Sequence, residues 1–205
     1  AGSYGSATAI PAITVDAQGR VTAASTNAFS AGVTSDGQQN TVAGTNAGDS
    51  FDGTNAINNT LIGYNAGTAI TTGDDNTALG RNAYDAGTTG VRNTAIGSGA
   101  LSETTSGGNN TAVGYSALNQ NTSGGTNVAV GQNALQYNTT ASNNTAVGFG
   151  SLNANTTGTR NVAVGYNCLD ANTTASNNTA LGHEALGANT TGEKNVAVGK
   201  GALDA

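Results

Sequence analysis

Asn127-Val-Ala-Val-Gly131-Gln-Asn-Ala-Leu135 is one copy of the phrase that decides the fold. Its leading Asn recurs at Asn59, Asn76, Asn93, Asn110, Asn127, Asn144, Asn161, Asn178 and Asn195, a fixed step of 17 residues. A looser copy starts at Asn40, with two extra residues before the next. A constant step without insertions means that each copy is one structural unit stacked on its predecessor.

Counting from the Asn as position 0, several columns are nearly invariant. Position 4 is Gly throughout, including Gly114, Gly131, Gly148, Gly165 and Gly182. Position 2 is Ala in most copies, including Ala112, Ala129, Ala146, Ala163 and Ala180. Position 3 is Val, Ile or Leu from Ile62 onward, position 7 is small, and position 8 is Leu from Leu101 to Leu203. Position 12 is Thr, as at Thr122, Thr139, Thr156 and Thr173. Positions 0–4 read as a strand with alternating side chains. The Gly suits a corner, positions 7–10 read as a second short strand, and Thr-Thr-Gly at 12–14 is turn chemistry. Seventeen residues leave no room for a helix as well. The expectation is an all-β, parallel β-solenoid or β-roll whose rungs stack at about 4.8 Å.

In such a stack the Asn and Thr columns are structural ladders, since like amides and hydroxyls one rung apart can hydrogen-bond. Positions 3 and 8 supply the apolar fill. The Ala column at position 2 then points away from position 3. It offers a line of small residues for the close approach of identical chains, with three around an axis as the expected count.

Composition narrows the function. The chain has 205 residues, 31 Gly, 9% charged residues and a net charge of −6. Ordinary domains carry roughly 25% charged residues. Low charge combined with a strict pattern speaks for a solenoid rather than disorder. Six Lys and Arg give no basic patch for nucleic acid or anionic membrane, and the apolar phrases are too short to span a bilayer. The chain shows no signal peptide and no initiator Met, as expected of a fragment or processed chain. The single Cys168 excludes an intrachain disulfide framework.

The phrase Asn127-Val-Ala-Val-Gly131 and its relatives, over about residues 40–205, resemble the head region of trimeric autotransporter adhesins. Those heads repeat Ser-Val-Ala-Ile-Gly with a shorter unit. The resemblance implies a left-handed parallel β-roll in a homotrimer. A second resemblance lies in Gly2-Ser-Tyr-Gly-Ser-Ala-Thr-Ala-Ile-Pro11 and Ile13-Thr-Val-Asp-Ala-Gln-Gly-Arg-Val-Thr-Ala-Ala-Ser25, which are similar to modules of bacteriophage tail-fibre proteins. Read physically, Ile13–Val15 and Val21–Ala23 are strands around an Asp16-to-Gly19 turn. Three regions are expected: an N-terminal β-hairpin module over 1–30, a transition with an irregular repeat over 31–58, and the solenoid over 59–205. Together the resemblances imply a virion tail fibre, extracellular, with other tail proteins and a host surface glycan or outer-membrane receptor as partners.

Position 5 is the variable column and follows the corner Gly, so it faces out. Tyr64, Tyr115, Phe149, Tyr166 and His183 stand there as candidate receptor or glycan contacts; the bland alternative is an unconstrained exposed corner. His183 has no second ligand near it in the repeat, so no zinc site is expected. Cys168 sits in the small-residue column and reads as a buried Ala substitute. Asp74-Asp75 and Asp49-x-x-Asp52 lack calcium-loop spacing and read as solvated loop carboxylates. The Asn-x-Thr strings follow from the repeat's own composition rather than from glycosylation. No catalytic constellation, metal site or cofactor motif is present in the sequence. The leading expectation is therefore a non-enzymatic structural fibre segment that mediates adhesion. The rivals are the head of a bacterial cell-surface adhesin, an ice-binding protein and a polysaccharide-degrading enzyme. Ice binding is disfavoured because the Thr pair at 12–13 is adjacent and its side chains diverge.

Overall fold

A computed structural model of the chain describes residues 9–28, 34–51, 53 and 55–204. The chain divides into two units, Ala1–Thr34 and Ser35–Ala205. Among the described residues there is no helix, and hence none long and apolar enough to cross a membrane. The strands are β1 (Ala9–Val15), β2 (Val21–Ala28), β3 (Thr34–Ser35), β4 (Thr41–Ala43), β5 (Thr60–Ile62), β6 (Thr77–Leu79), β7 (Thr94–Ile96), β8 (Thr111–Val113), β9 (Val128–Val130), β10 (Thr145–Val147), β11 (Val162–Val164), β12 (Thr179–Leu181) and β13 (Val196–Val198).

The first unit holds the antiparallel pair β1–β2, with Ile13 opposite Ala24 and Val15 opposite Val21. Its turn is set by Asp16. One carboxylate oxygen accepts from the backbone N–H groups of Gln18 (3.0 Å) and Arg20 (2.9 Å), and the other from Arg20 Nε (2.7 Å). Those bonds hold the Asp16 carboxyl below its usual range. Both strands are longer than the sequence reading gives. The Gly2–Thr8 part of the quoted module lies outside the described residues.

The second unit is a parallel β-solenoid. Its sheet runs in simple chain order from β3 to β13, and every neighbouring pair from β4 onward is in the register of the repeat, as in Thr145↔Val162 and Ala146↔Ala163. β4 pairs Thr41↔Thr60 like any other rung. The irregular repeat over 31–58 therefore contains a regular strand, and the two extra residues fall in its loop. Nine steps separate β4 from β13, about 43 Å at the usual strand spacing.

The inward and outward faces of the strand differ from the sequence reading. Ala112, Ala129, Ala146, Ala163 and Ala180 are wholly buried inside their own chain. They cannot be the surface on which another chain packs. The flanking positions 1 and 3 point out: Leu79 and Leu181 are 46% and 47% exposed. Alternation was read correctly, but its sense was inverted. Where Leu or Tyr fills position 8, the lumen leaves room only for a methyl group at position 2, and the β-branched residues stand on the outer face; where position 8 is Gly67, position 2 takes the buried Leu61 instead.

The lumen is filled by Ala at positions 2 and 7 and by the position 8 column, including Leu101, Leu118, Leu135, Leu152 and Leu169. Positions 7–10 are not a second strand. They form a run of turns in which positions 6 and 8 are left-handed, as at Asn133 (φ 58°) and Leu135 (φ 52°). A β-branched residue at such a φ is a genuine outlier, which explains why position 8 takes Leu and position 3 takes Val and Ile. The turns are still bonded rung to rung: Leu118 N–H donates to the Ala134 carbonyl, and Gln120 N–H to that of Gln136, both at 2.9 Å. At the corner, Gly131 and Gly148 have φ of 134° and 129°, and a Cβ on Gly131 would overlap the Gly148 carbonyl below it. Only glycine fits there.

The first rungs fill the lumen by compensation. Gly67 stands at position 8 against Leu61 at position 2 and Ile70 at position 11, and a Cβ on Gly67 would meet the Leu61 Cδ2 at 2.7 Å and the Ile70 Cδ1 at 2.9 Å. In the next rung Tyr84 takes position 8 and Gly87 position 11, where a Cβ would run into the Tyr84 ring. Large and small residues exchange places so that each layer keeps its volume.

Two buried Asn columns join the rungs. At position 0, Asn144 Oδ1 accepts the backbone N–H of Asn161 (2.9 Å), while its Nδ2 donates across the rung to the Gly158 carbonyl (2.8 Å). Asn127 does the same with Asn144 N–H (3.0 Å) and the Ala141 carbonyl (2.8 Å). At position 11, which the sequence reading passed over, Asn138 Nδ2 donates to Asn121 Oδ1 (2.9 Å) and to the same Ala141 carbonyl (3.0 Å). One position 14 carbonyl thus uses both lone pairs, each on a different Asn. At the N-terminal end Asp36 replaces the missing rung: its oxygens accept from Asn40 N–H (2.8 Å) and Asn40 Nδ2 (2.9 Å). Outside the lumen, the Thr122, Thr139 and Thr156 hydroxyls each donate to the carbonyl of the Thr one rung on, at 3.0–3.1 Å.

Two predictions follow from this packing. Asn144→Ala leaves the Asn161 N–H buried and unpaired, at about 1–3 kcal/mol, while the Gly158 carbonyl keeps its second donor, Asn155 Nδ2 (3.0 Å). The Asn161 amide is then expected to exchange its hydrogen at least tenfold faster, while the amides of rungs further along keep their protection. Tyr84 is buried, and burial lifts its phenol to about 12, opposed by the hydrogen bond from Asn93 (3.1 Å). Because the folded value exceeds the unfolded 10.0, this group's contribution is complete below pH about 10 and is lost as the pH climbs towards 12. The difference in tyrosinate absorbance between the native protein and Tyr84→Phe is expected to show the Tyr84 phenol ionising only near pH 12.

Candidate functional site

The corner Gly turns the chain away from the sheet, and position 5 emerges on the outer edge of the turn run. Three of the sequence-predicted residues meet there on consecutive rungs. Phe149 and Tyr166 stack with ring centroids 5.2 Å apart and planes 9° apart; Tyr166 and His183 stack at 5.1 Å and 16°. The register of the solenoid sets that spacing, since equivalent Cα atoms lie one strand spacing apart. His183 Nδ1 lies 3.3 Å from the Glu184 carboxylate. Tyr64 and Tyr115 are exposed but outside this stack.

Beside the stack lies a polar depression of about 320 Å³ between positions 5, 6, 9 and 10 of neighbouring rungs. Phe149 and Tyr137 line it, together with Asn133, Gln136, Asn153 and Asp170. Sequence reasoning missed Tyr137, because position 10 is otherwise a small or polar column and a lone aromatic there stood in no pattern. Asn153 Nδ2 donates to the Asn133 carbonyl (2.9 Å) and to Gln136 Oε1 (3.3 Å), which fixes the amides of the floor. Burial pushes the Asp170 carboxyl up, and the negative charges of Asp204 and Glu184 add to this.

The other candidates are structural. Cys168 is buried in the position 7 column, its Sγ 3.5 Å from the Ala185 carbonyl, and burial pushes its thiol up. Asp74 Oδ1 accepts from the Ile57 N–H (2.9 Å) and Asp75 Oδ1 from Asn58 Nδ2 (3.2 Å), so both carboxylates are used in the loops. Asp52 lies outside the described residues. Among the described residues no three His, Cys, Asp or Glu are grouped to hold a metal ion. Comparison with known proteins finds no matching family model, no matching curated protein and no matching solved structure.

Proposed function

We propose that the chain is a segment of a bacteriophage tail fibre: a homotrimeric, left-handed β-solenoid that carries adhesion to the host cell surface. The observation that carries this reading is the outer face of the sheet. Ile62, Leu79, Leu181 and Val198 are exposed along one position 3 column, Val198 by 65%. Val162 and Val196 extend the patch at position 1. A face three residues wide and nine steps long covers about 430 Å² in plan, of which the position 3 column is the apolar share, since position 2 is buried and position 1 is Thr in most rungs. It falls short of the roughly 800 Å² per partner of a stable pair. A homotrimer, in which each chain touches two neighbours, therefore needs contact that extends beyond this face. The outward ring column, present once per chain, would then engage a surface glycan in several copies and gain by effective concentration. Partners are thus its own copies, other virion proteins and a host receptor; the chain acts without catalysis.

Ice binding gains a specific observation. Thr60, Thr77, Thr94 and Thr111 stand at position 1, two residues before the outward position 3, so an array of Thr alternating with Ile, Leu or Val lies on a face other than the 12–13 pair. The two uses compete for one surface, because a face buried between chains cannot order water.

Val130→Arg with Val147→Arg is expected to reduce the sedimenting mass to that of one chain while leaving the far-ultraviolet circular dichroism unchanged. Ala129→Arg, which forces a charge into the lumen, is expected to abolish the β signal instead. A native protein that sediments as a single chain and shows thermal hysteresis would replace the fibre reading by the ice reading. Replacing Phe149, Tyr166 and His183 together with Ser is expected to lower binding of the labelled protein to susceptible bacterial cells at least tenfold; undiminished binding rejects the adhesive role of the ring column.

A further inference from the structure

We infer that the depression beside Phe149 is a binding notch for one neutral pyranose ring, an inference that rests on the adhesive reading for its purpose but not for its chemistry. The notch exists because one side chain is missing. Position 6 runs Asn133, Gly150, Asn167 on three consecutive rungs. Gly150 has φ 62°, like its Asn neighbours (58° and 44°), so the backbone does not demand glycine there more than at the other two. What glycine supplies is space: a Cβ on Gly150 would run into the Asn167 amide oxygen.

The walls of this space have the chemistry of a sugar site. Phe149 and Tyr137, each 42% exposed, present ring surface on which the C–H face of a pyranose packs, with apolar contact and no hydrogen-bond demand. Between them the lining is planar amide and carboxylate. Asn153 is already tied to Asn133 and Gln136, so the amides of the floor are ordered before a ligand arrives and little entropy is spent in arranging them. Asp170 adds acceptor oxygens for sugar hydroxyls. The volume, about 320 Å³, stands at the lower end of the range of about 300–1,000 Å³ for small-ligand sites.

Electrostatics select the class. No Lys or Arg lines the notch, whereas Asp170 lines it and Glu184 and Asp204 interact with Asp170. A phosphate, a sialic acid or a uronic acid would meet negative charge without a cation to pair with. Neutral hydroxyls meet acceptors. Of the other position 6 glycines, Gly99 and Gly201, Gly99 lies within the array with a rung on either side and serves as an internal control. It has Ser98 at position 5 of its own rung, where Phe149 stands beside Gly150, and Ala86 at position 10 of the rung before, where Tyr137 stands. It has the space but neither ring.

The test is nuclear magnetic resonance of the assembled, isotope-labelled protein titrated with methyl β-glucopyranoside, methyl β-galactopyranoside and glucuronate. At least one neutral glycoside is expected to shift the Gly150, Tyr137 and Phe149 signals saturably with a Kd on the order of millimolar, leaving Gly99 unmoved. Glucuronate is expected to bind at least tenfold more weakly. Gly150→Asn, which installs the residue of the neighbouring rungs, and Tyr137→Ser should each weaken the neutral sugar at least tenfold while the remaining spectrum stays in place. Unshifted Gly150 signals with both glycosides, equal shifts at Gly99, or glucuronate binding as tightly overturns the inference. Both variants keep the Phe149–Tyr166–His183 stack. Loss of sugar binding with cell binding intact would therefore separate the notch from the adhesive role, and loss of cell binding in the triple Ser variant alone would leave that role standing without the notch.

Discussion

The solenoid depends on one interaction, the buried amide of the position 0 Asn. An Asn there replaces a missing backbone bond in two directions at once. Its oxygen takes the N–H of the same residue one rung on, and its nitrogen takes a carbonyl on the far side of its own rung, as Asn144 does with Asn161 and Gly158. The first bond fixes the stacking register and the second fixes the diameter of the coil. A hydroxyl is too short to do both, a carboxylate cannot donate, and an apolar residue would leave the next rung's N–H buried without a partner and take from the carbonyl one of its two donors.

The rest of the composition follows from that diameter. From Ala78 onward the coil admits a methyl group at position 2, a small residue at position 7 and one Tyr or Leu per rung at position 8. Such a thin core makes each rung weak by itself, and stability is a sum over neighbours. Polar ladders carry a share that apolar burial carries elsewhere. A strand only three residues long then gains its specificity from the bonds that close it into a ring. The outer face, freed from this duty, collects the β-branched residues for which the lumen has no room.

Much of this was legible in the sequence. The 17-residue step gave stacking, register and the parallel sheet, because a constant period without insertions permits nothing else. The glycine corner and the Asn and Thr columns were readable as ladders because identical polar residues in line have one another within reach. The sense of the strand was not readable: Ala112, Ala129 and Ala146 alternate with Val113 and Val130 whichever side is the lumen, and bulk suggested the wrong one. The left-handed Leu at position 8 disguised a run of turns as a strand. The Asn121–Asn138–Asn155 column was overlooked since position 11 changes in the earlier rungs to Ile70 and Gly87, where apolar packing takes over, and to Thr104, whose hydroxyl accepts from Asn121 Nδ2. Of the candidate site, the ring column was visible as a variable position. Its partner Tyr137 was not, because it depends on which position of one rung faces which position of the next.

The bond from an Asn side chain to the next rung's backbone is the centre of this account, and it can be observed directly. A through-hydrogen-bond nuclear magnetic resonance experiment on the labelled protein measures scalar coupling between an amide nitrogen and the carbon of the carbonyl that accepts it. The Asn161 amide nitrogen is expected to couple to the side-chain Cγ of Asn144, and that of Asn144 to the Cγ of Asn127. Coupling of the Asn161 amide to a backbone carbonyl instead would contradict it.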